Sequence, residues 1–398
     1  MEAWRKNLYI LWGVQFLAMA GMNLVVPFLP LFIRELGVTD PQELARWSGL
    51  VFSGPFLLSL IATPLWGTLG DRYGRKMMVL RALIGLAISQ VIIGFSQDVY
   101  QLFFFRIIQG GISGFIASSL ALVSTSTPKD RIGYALGLLQ SSTAAGMLIG
   151  PLIGGVLADL VGFRHIFFIT AVFCFISAVA VAAFVKELHI PEKDGRKFRV
   201  IDNALLMLSD KRLRVIGLTL LVSQISVFMV EPIFTLYVES FGSGVTYLST
   251  LAGSLFSVTG FFMIFSAPWW GRLNDKSGKK RNLCAALLTL GLFYLLHVAV
   301  YNLVQLGFLR AFLGFARGGV LPALYALVSI SASNEQKGGI MAIAASLTIC
   351  GKLVGPMLGG FIASHFGYNA VFLVNGSILL ILSAAVCYYL AEPSDSDA

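Results

Sequence analysis

The sequence predicts an all-α integral membrane protein, twelve transmembrane helices forming two pseudo-symmetric six-helix bundles around a central cavity. Three observations carry this expectation. The chain is strongly apolar, its apolar runs have the length of a bilayer crossing, and several short stretches are written twice, 204 or 205 residues apart. Hydrophobic residues make up 57% of the 398 and charged residues 12%, with a mean hydropathy of +0.82. A soluble domain is about one quarter charged, so water is not the main solvent of this surface.

Taken in order, helix 1 is expected over 8–33, helix 2 over 48–69, helix 3 over 77–96, helix 4 over 100–126, helix 5 over 133–158 and helix 6 over 165–186. Helices 7 to 12 follow over 214–239, 248–271, 282–300, 303–331, 339–363 and 368–391. About 20 apolar residues cover a hydrocarbon core of about 30 Å. The runs are continuously apolar rather than alternating, which argues for helices and against a barrel. The first run is too long for a secretory leader and lacks its small-residue cleavage site, so it is read as a helix.

Lysine and arginine set the orientation. With both termini cytoplasmic, the inside stretches carry 21 of the 29 and the outside loops carry three, Arg34, Arg46 and Arg164. The positive-inside rule favours that arrangement. The net charge of +9 is then explained by insertion signals facing anionic lipid, without nucleic acid. Cys174, Cys284, Cys350 and Cys387 all fall in helices, with neither metal-ligand nor disulfide spacing, and are read as core residues.

The repeats divide the chain. "GPLIGGVLADLVGFR" at 150–164 returns as "GPMLGGFIASHFGYN" at 355–369, and "PLWGTLGDRYGRK" at 64–76 returns as "PWWGRLNDKSGKK" at 268–280. "RIIQG" at 106–110 matches "RAFLG" at 310–314, and "VPFLPLF" at 26–32 matches "EPIFTLY" at 231–237. The domains expected are an N-terminal six-helix bundle, 1–186, a basic cytoplasmic linker, 187–213, and a C-terminal six-helix bundle, 214–398.

Over essentially its whole length the chain resembles the major facilitator superfamily. "GTLGDRYGRKMM" at 67–78 resembles the family's signature between helices 2 and 3, with Asn274 replacing Gly70 in the second copy. Gly137, Gly146, Gly150, Pro151, Gly154 and Gly155 resemble the helix-5 signature of the family's proton-driven drug antiporters. Arg106, Gln109 and Gly110 resemble the helix-4 signature of that branch. The resemblance implies a secondary transporter exporting amphipathic small molecules or drugs in exchange for protons, by alternating access. The alternative is a proton-coupled exporter of one endogenous solute, such as a siderophore or organic anion. Both imply a multi-pass protein of the cytoplasmic (inner) membrane that works as a monomer on a small molecule and protons, with no cofactor beyond the proton gradient.

Residue chemistry adds candidates. Small residues at Gly146, Gly150, Gly154 and Gly155 let helix backbones approach, and Pro151 bends the helix, which serves rocking or packing alone. Gly67, Asp71, Arg72, Gly74 and Arg75 form a candidate cytoplasmic gate, in which Asp71 meets the N-terminus of helix 11 near Gly338; the plain alternative is topogenic charge. Ionisable residues within the membrane are functional candidates by default. Arg81 lies near enough to the cytoplasm to snorkel there. Arg106 is implied in proton coupling by the resemblance, and Arg310 is its repeat partner. Glu231 is the one acid deep within a helix, where the drug-antiporter branch often carries its coupling proton; the alternative is a structural salt bridge to Lys352 or Arg317. Gln224, Phe228, Glu231 and Thr235 share a face of helix 7, while Gln15, Met19, Asn23 and Val26 share one on helix 1. With Gln140, Thr143, Arg310, Arg317 and Lys352 they make a candidate substrate cavity. Helix 1 carries no acid, and four intramembrane cations (Arg106, Arg310, Arg317, Lys352) against one acid favour neutral or anionic passengers. His297 is read as a satisfied core residue. No nucleophile with a matched base, no metal cluster and no phosphate-cradling loop appears, so an enzyme is not expected.

The topology is tested by single cysteines at Gly242 and Asp98. Both should react with impermeant maleimide from outside only; labelling of either from the cytoplasm would overturn the orientation.

Overall fold

The computed structural model describes residues 2–128, 131–187, 200–242, 247–332 and 336–390, and among these every regular element is helical. Among the described residues, twelve helices are long and apolar enough to cross a membrane. They are helix 1 (Trp4–Glu35), helix 2 (Pro41–Gly70), helix 3 (Arg75–Gly94), helix 4 (Val99–Ser126), helix 5 (Ile132–Val161) and helix 6 (Phe163–Phe184). Helices 7 to 12 are Lys211–Glu239, Leu248–Asn274, Lys279–Ala299, Leu303–Ser331, Lys337–Phe366 and Tyr368–Tyr389. Helices 1 and 2 each begin a turn or more before their expected apolar runs, and helices 4, 10 and 7 begin at polar caps. Asp98 accepts from Gln101 N at 2.8 Å, Asn302, 204 residues on, accepts from Gln305 N at 2.9 Å, and Asp210 accepts from Leu213 N at 2.7 Å. The stretch expected to be a plain linker contains a short helix, Val200–Ser209.

The helices gather into two compact units. The first holds Met1–Asp40, Leu50–Gly195 and Gly244–Ser257; the second holds Pro41–Gly49, Arg196–Ser243 and Val258–Ala398. In the first, helix 1 packs chiefly on helix 5 and helix 3 on helix 6; in the second, helix 7 packs on helix 11 and helix 9 on helix 12. The core of the first unit is built by Leu8 and Leu11 of helix 1, Val79, Leu83 and Leu86 of helix 3, and Cys174 and Val181 of helix 6. Large apolar side chains such as Ile61, Leu160 and Ile381 point outward, where lipid rather than water meets them. Of the four cysteines expected in the core, Cys174 and Cys284 are buried; Cys350 is half-buried and Cys387 is exposed. An apolar outer surface is as good a place for a thiol as the interior when the surroundings are lipid.

Glycines explain the paired stretches. A Cβ on Gly146 would lie 2.6 Å from the Cβ of Met19, and one on Gly150 would lie 2.7 Å from the carbonyl oxygen of Ala20. Gly154 abuts the carbonyl of Leu24. The second copy repeats this 205 residues later: Gly351 abuts Gln224, a Cβ on Gly355 would lie 2.6 Å from Ile225 O, and Gly359 abuts Met229 O. Gly155 and Gly360 face the other way. The first backs onto Ser249 and Thr250 at the start of helix 8, the second onto Ala45 and Gly49 of helix 2. Gly137 and Gly67 have open space around them, so the close-packing reading does not extend to them.

That contrast is testable. Gly154→Val should destabilise the protein by about 1–3 kcal/mol or prevent folding, since the methyls meet backbone that cannot yield. Gly137→Val should leave detergent melting temperature within a few degrees of wild type. Equal melting temperatures for the two variants would contradict the packing account.

Candidate functional site

In the second unit, helix 7 is α-helical over Lys211–Val230, passes through a 3-10 turn at Glu231–Ile233 and resumes over Phe234–Glu239. Pro232 causes the interruption, because it lacks the N–H that would continue the ladder. Helix 1 has the same turn at Val26–Phe28 around Pro27. Only in helix 7 does the residue before the proline carry a carboxylate. Glu231 Oε1 lies 3.2 Å from Arg317 Nη1 of helix 10, and the two side chains are 17% and 27% exposed. The structural salt bridge to Arg317 is therefore formed, and it stays in reach of water.

Two further cations stand close. Lys352 Nζ lies 5.3 Å from the ring centre of Phe228, one turn before Glu231, within electrostatic reach of both Glu231 and Arg317. The Arg310 guanidinium lies 4.0 Å from the ring centre of Phe234 and is 5% exposed. Cation–π contacts of this kind are each worth about 0.5–2 kcal/mol. Three cations thus share one carboxylate, and their excess charge is eased by aromatic faces. His297 is fully buried, with Nδ1 2.7 Å from Phe293 O and its ring stacked 4.7 Å from Phe372; it is a core residue as expected, but only half satisfied, since no hydrogen bond among the described residues reaches Nε2.

In the first unit, Arg106 is 8% exposed and is held by neutral oxygens. Nη1 donates to Gln109 Oε1 at 2.9 Å and Nε to Val51 O at 3.4 Å, while Gly110 abuts the Pro55 carbonyl of helix 2. The motif residues Arg106, Gln109 and Gly110 are thus one contact surface toward helix 2. Gly314, the repeat of Gly110, sits likewise against Thr259 of helix 8.

The expected cavity wall is corrected in part. Gln15 is wholly buried, donating Nε2 to Leu139 O at 3.1 Å and to Thr143 Oγ1 at 2.7 Å. Met19 is 6% exposed against Gly146, and Asn23 turns Nδ2 back to Met19 O at 2.8 Å. Gln224 is 3% exposed against Gly351, and Thr235 is fully buried. These polar stripes on helices 1 and 7 are the faces packed on helices 5 and 11, because glycines there draw the neighbouring helix onto them. Gln140 is exposed and Thr143, Phe228, Arg317 and Lys352 are half-buried, so these remain reachable.

At the loop between helices 2 and 3, the side chain of Asp71 lies outside the described residues, as does any contact it makes. Arg72 is exposed and stacks over Tyr73 at 5.3 Å. Gly74 has a φ of +95°, which favours glycine, and sits before helix 3. Arg75 donates Nη1 to Ala121 O at 2.7 Å. The carboxylate at the N-terminus of helix 3 is Glu187, which accepts from Arg75 N at 2.6 Å. Sequence reasoning missed Glu187 and also Asp159, whose carboxylate accepts from Ser249 N at 3.3 Å, Thr250 N at 2.8 Å and Thr250 Oγ1 at 2.7 Å. Each is a lone acid at a helix end, and the signal for Asp159 was its place inside the duplicated glycine stretch. Among the described residues, no three His, Cys, Asp or Glu side chains form a metal-binding group.

Comparison with known proteins agrees with this architecture. The family model described as Major Facilitator Superfamily matches residues 11–251 and 216–398. Multidrug resistance protein MdtG of Proteus mirabilis is 39% identical over 384 residues, covering 95% of this chain and 94% of that protein. MdtG of Yersinia enterocolitica is 39% identical over 392 residues, covering 98% and 94%. Among solved structures, a bacterial homologue of the human lysosomal transporter Spinster, in an inward-facing and occupied conformation, superposes with a TM-score of 0.80 at 16% identity over 97% of both chains. A nucleoside transporter superposes with a TM-score of 0.80 at 12% identity over 96% of this chain and all of that one. The twelve-helix fold, the duplicated glycine helices and the matched family model together establish that this chain is a multi-pass membrane protein belonging to the major facilitator superfamily.

Proposed function

We propose that the protein is a proton-coupled antiporter that exports amphipathic small molecules, including drugs, by alternating access of two halves, 1–186 and 214–398, joined by the stretch 187–213. It works as a monomer in the bacterial inner membrane with both termini cytoplasmic and needs no cofactor. The observation that carries the reading is the Glu231–Arg317 pair at the interrupted turn of helix 7. Full-length similarity to proteins called multidrug resistance proteins supports the drug class. In the proposed cycle, Glu231 ionised is paired with Arg317; a proton arriving from outside discharges the carboxylate and frees the guanidinium. Substrate release to the outside is then linked to proton uptake, and proton loss to the cytoplasm is linked to binding of the next passenger against Arg317 and Lys352, because each event changes the charge the other meets. Arg106, held by Gln109 and Val51 O, takes a coupling role in the first half. The three cations around one acid favour neutral or anionic passengers over cationic ones, and a proteoliposome screen with all three classes side by side decides among them.

A proton falling through about 100 mV carries about 2.3 kcal/mol from voltage alone, which sustains a roughly 50-fold gradient of an uncharged solute. Glu231→Gln keeps shape but cannot release a proton, so purified protein should still bind and passively exchange substrate while losing that gradient. If Glu231 serves only as the counter-ion of Arg317, the double variant Glu231→Gln/Arg317→Gln would recover wild-type accumulation, and the coupling role would be lost. Arg106→Ala should abolish proton-driven accumulation, while Arg106→Lys retains part of it, since the charge stays and the planar fork is lost. Wild-type rates in both would remove Arg106 from the mechanism.

A further inference from the structure

Helix 4 is not continuous. It runs over Val99–Ile112, leaves helical geometry at Ser113 (ψ −179°) and Gly114 (φ +114°), and resumes over Phe115–Ser126. Neither residue is proline, so the break has another cause. In hydrocarbon every freed backbone carbonyl must find a donor, and the donors here can be counted. Gly110 O accepts from Ser113 N at 3.1 Å and Gly114 O from Ser118 N at 3.0 Å. The three carbonyls between them are taken by two side chains. Trp66 Nε1 of helix 2 donates to Gly111 O at 2.7 Å. Arg81 of helix 3 donates Nη1 to Ile112 O and Nη2 to Ser113 O, both at 3.1 Å. The Arg81 guanidinium also stacks on Trp66, 3.5 Å from the ring centre. Arg81, expected to snorkel to the cytoplasm, instead turns its fork onto a broken helix.

The duplicated half provides an internal control. Trp270 repeats Trp66 and donates to Phe315 O at 2.8 Å, the repeat of Gly111. Gly318 repeats Gly114, but Arg81 is replaced by Ala285 and Ser113 by Arg317. There helix 10 is continuous over Leu303–Ser331. A tryptophan bond and a glycine therefore do not break the helix; the half that carries the helix-3 arginine is the half that breaks.

Both segments of helix 4 pack on helix 3, the first with Ile112 against Gly85, but their remaining holds differ. The segment before the break rests on helix 2, through Arg106 on Val51 O and Gly110 on Pro55. The segment after it rests on helix 3, through Arg75 on Ala121 O and through Phe115 and Leu122, buried in the core with Val79 and Leu83. We infer that Arg81 is a positioning residue for transport: by satisfying the Ile112 and Ser113 carbonyls it holds helix 4 open at Ser113–Gly114, so that the segment bearing Arg106, which also rests on helix 2, takes an orientation different from that of the segment after the break. Arg81 touches no substrate in this role. It acts through the backbone that sets the orientation of Arg106, seven residues before Ser113. The inference rests on the export reading only where it concerns turnover.

The test places nitroxide labels at Tyr100 and Ser124, one in each segment, in a protein whose four native cysteines are replaced, and measures their separation by pulsed electron resonance in nanodiscs. A continuous helix would hold these backbone positions about 36 Å apart. Wild type should give a distribution distinct from that of Gly114→Ala, where a Cβ has room but φ near +114° is disfavoured and the helix is driven to close. Arg81→Ala should shift or broaden the distribution toward the Gly114→Ala value. Both variants should lower turnover of whichever screened compound the wild type exports by about tenfold or more, with its binding affinity within about twofold. Arg81→Lys, reaching one carbonyl at a time, should fall between. If Arg81→Ala and Gly114→Ala both leave the 100–124 distribution at the wild-type value, the hinge does not exist, whatever transport does. If the distribution shifts but turnover is unchanged, the break is real and Arg81 has no positioning role. Should Arg81→Ala fail to fold, Arg81→Lys decides both points, since it keeps the charge and gives up the fork: a wild-type distribution and wild-type turnover in Arg81→Lys would overturn the inference. Because the distance is read without substrate, failure of the export reading would leave that arm standing.

Discussion

The constraint from which the rest of the structure follows is that a bilayer offers backbone groups no hydrogen-bonding partner. It makes every crossing a helix, and it makes each departure from helical geometry a local problem with a visible solution. The turns at Pro27 and Pro232 are tightened into 3-10 geometry. The break at Ser113–Gly114 recruits a tryptophan and an arginine from two other helices. Helix ends outside the hydrocarbon are closed by Asp98, Asn302 and Asp210. Charged residues inside the membrane are thus of two kinds. Some satisfy backbone, as Arg81 and Arg106 do, and some face one another, as Glu231 and Arg317 do.

Helix association is subject to the same solvent. Lipid is as apolar as leucine, so burying leucine does not by itself drive two helices together; close approach and dispersion do. The glycines at 146, 150 and 154, repeated at 351, 355 and 359, bring helix 5 onto helix 1 and helix 11 onto helix 7. The faces they press against carry Gln15, Met19 and Asn23 in one case and Gln224 and Phe228 in the other. Polar residues on these helices therefore contribute to association, with Gln15 bonded directly to helix 5. In the second unit, Glu231, Arg317 and Lys352 are ionisable groups that packing leaves in reach of water.

Duplication makes the differences between the halves informative. Both copies keep the Trp-to-carbonyl bond, the close glycines and the proline turn. They part at ionisable positions: Val26 against Glu231, Ser113 against Arg317, Arg81 against Ala285. One copy has spent its arginine on a broken helix, and the other has spent one on a carboxylate.

The sequence by itself determined the twelve crossings, the repeat and the placement of Glu231, because apolar run length, internal identity and a lone acid are properties of the chain alone. It also carried the family, since the glycine and arginine spacings at 67–78, 106–110 and 137–155 survive in linear order. What it did not determine is which neighbour each side chain meets. Helical spacing gives the phase of Gln15 or Gln224 on its own helix, but whether that phase meets a cavity or another helix depends on where the glycines of helices 5 and 11 land. The length of Arg81 allows it to reach either the cytoplasm or helix 4, and only the break in helix 4, with its three freed carbonyls, decides between them. Glu187 and Asp159 were not singled out, for the same reason. Their roles depend on helix N-termini 112 and 90 or more residues away in sequence, which only the tertiary structure brings within hydrogen-bonding distance.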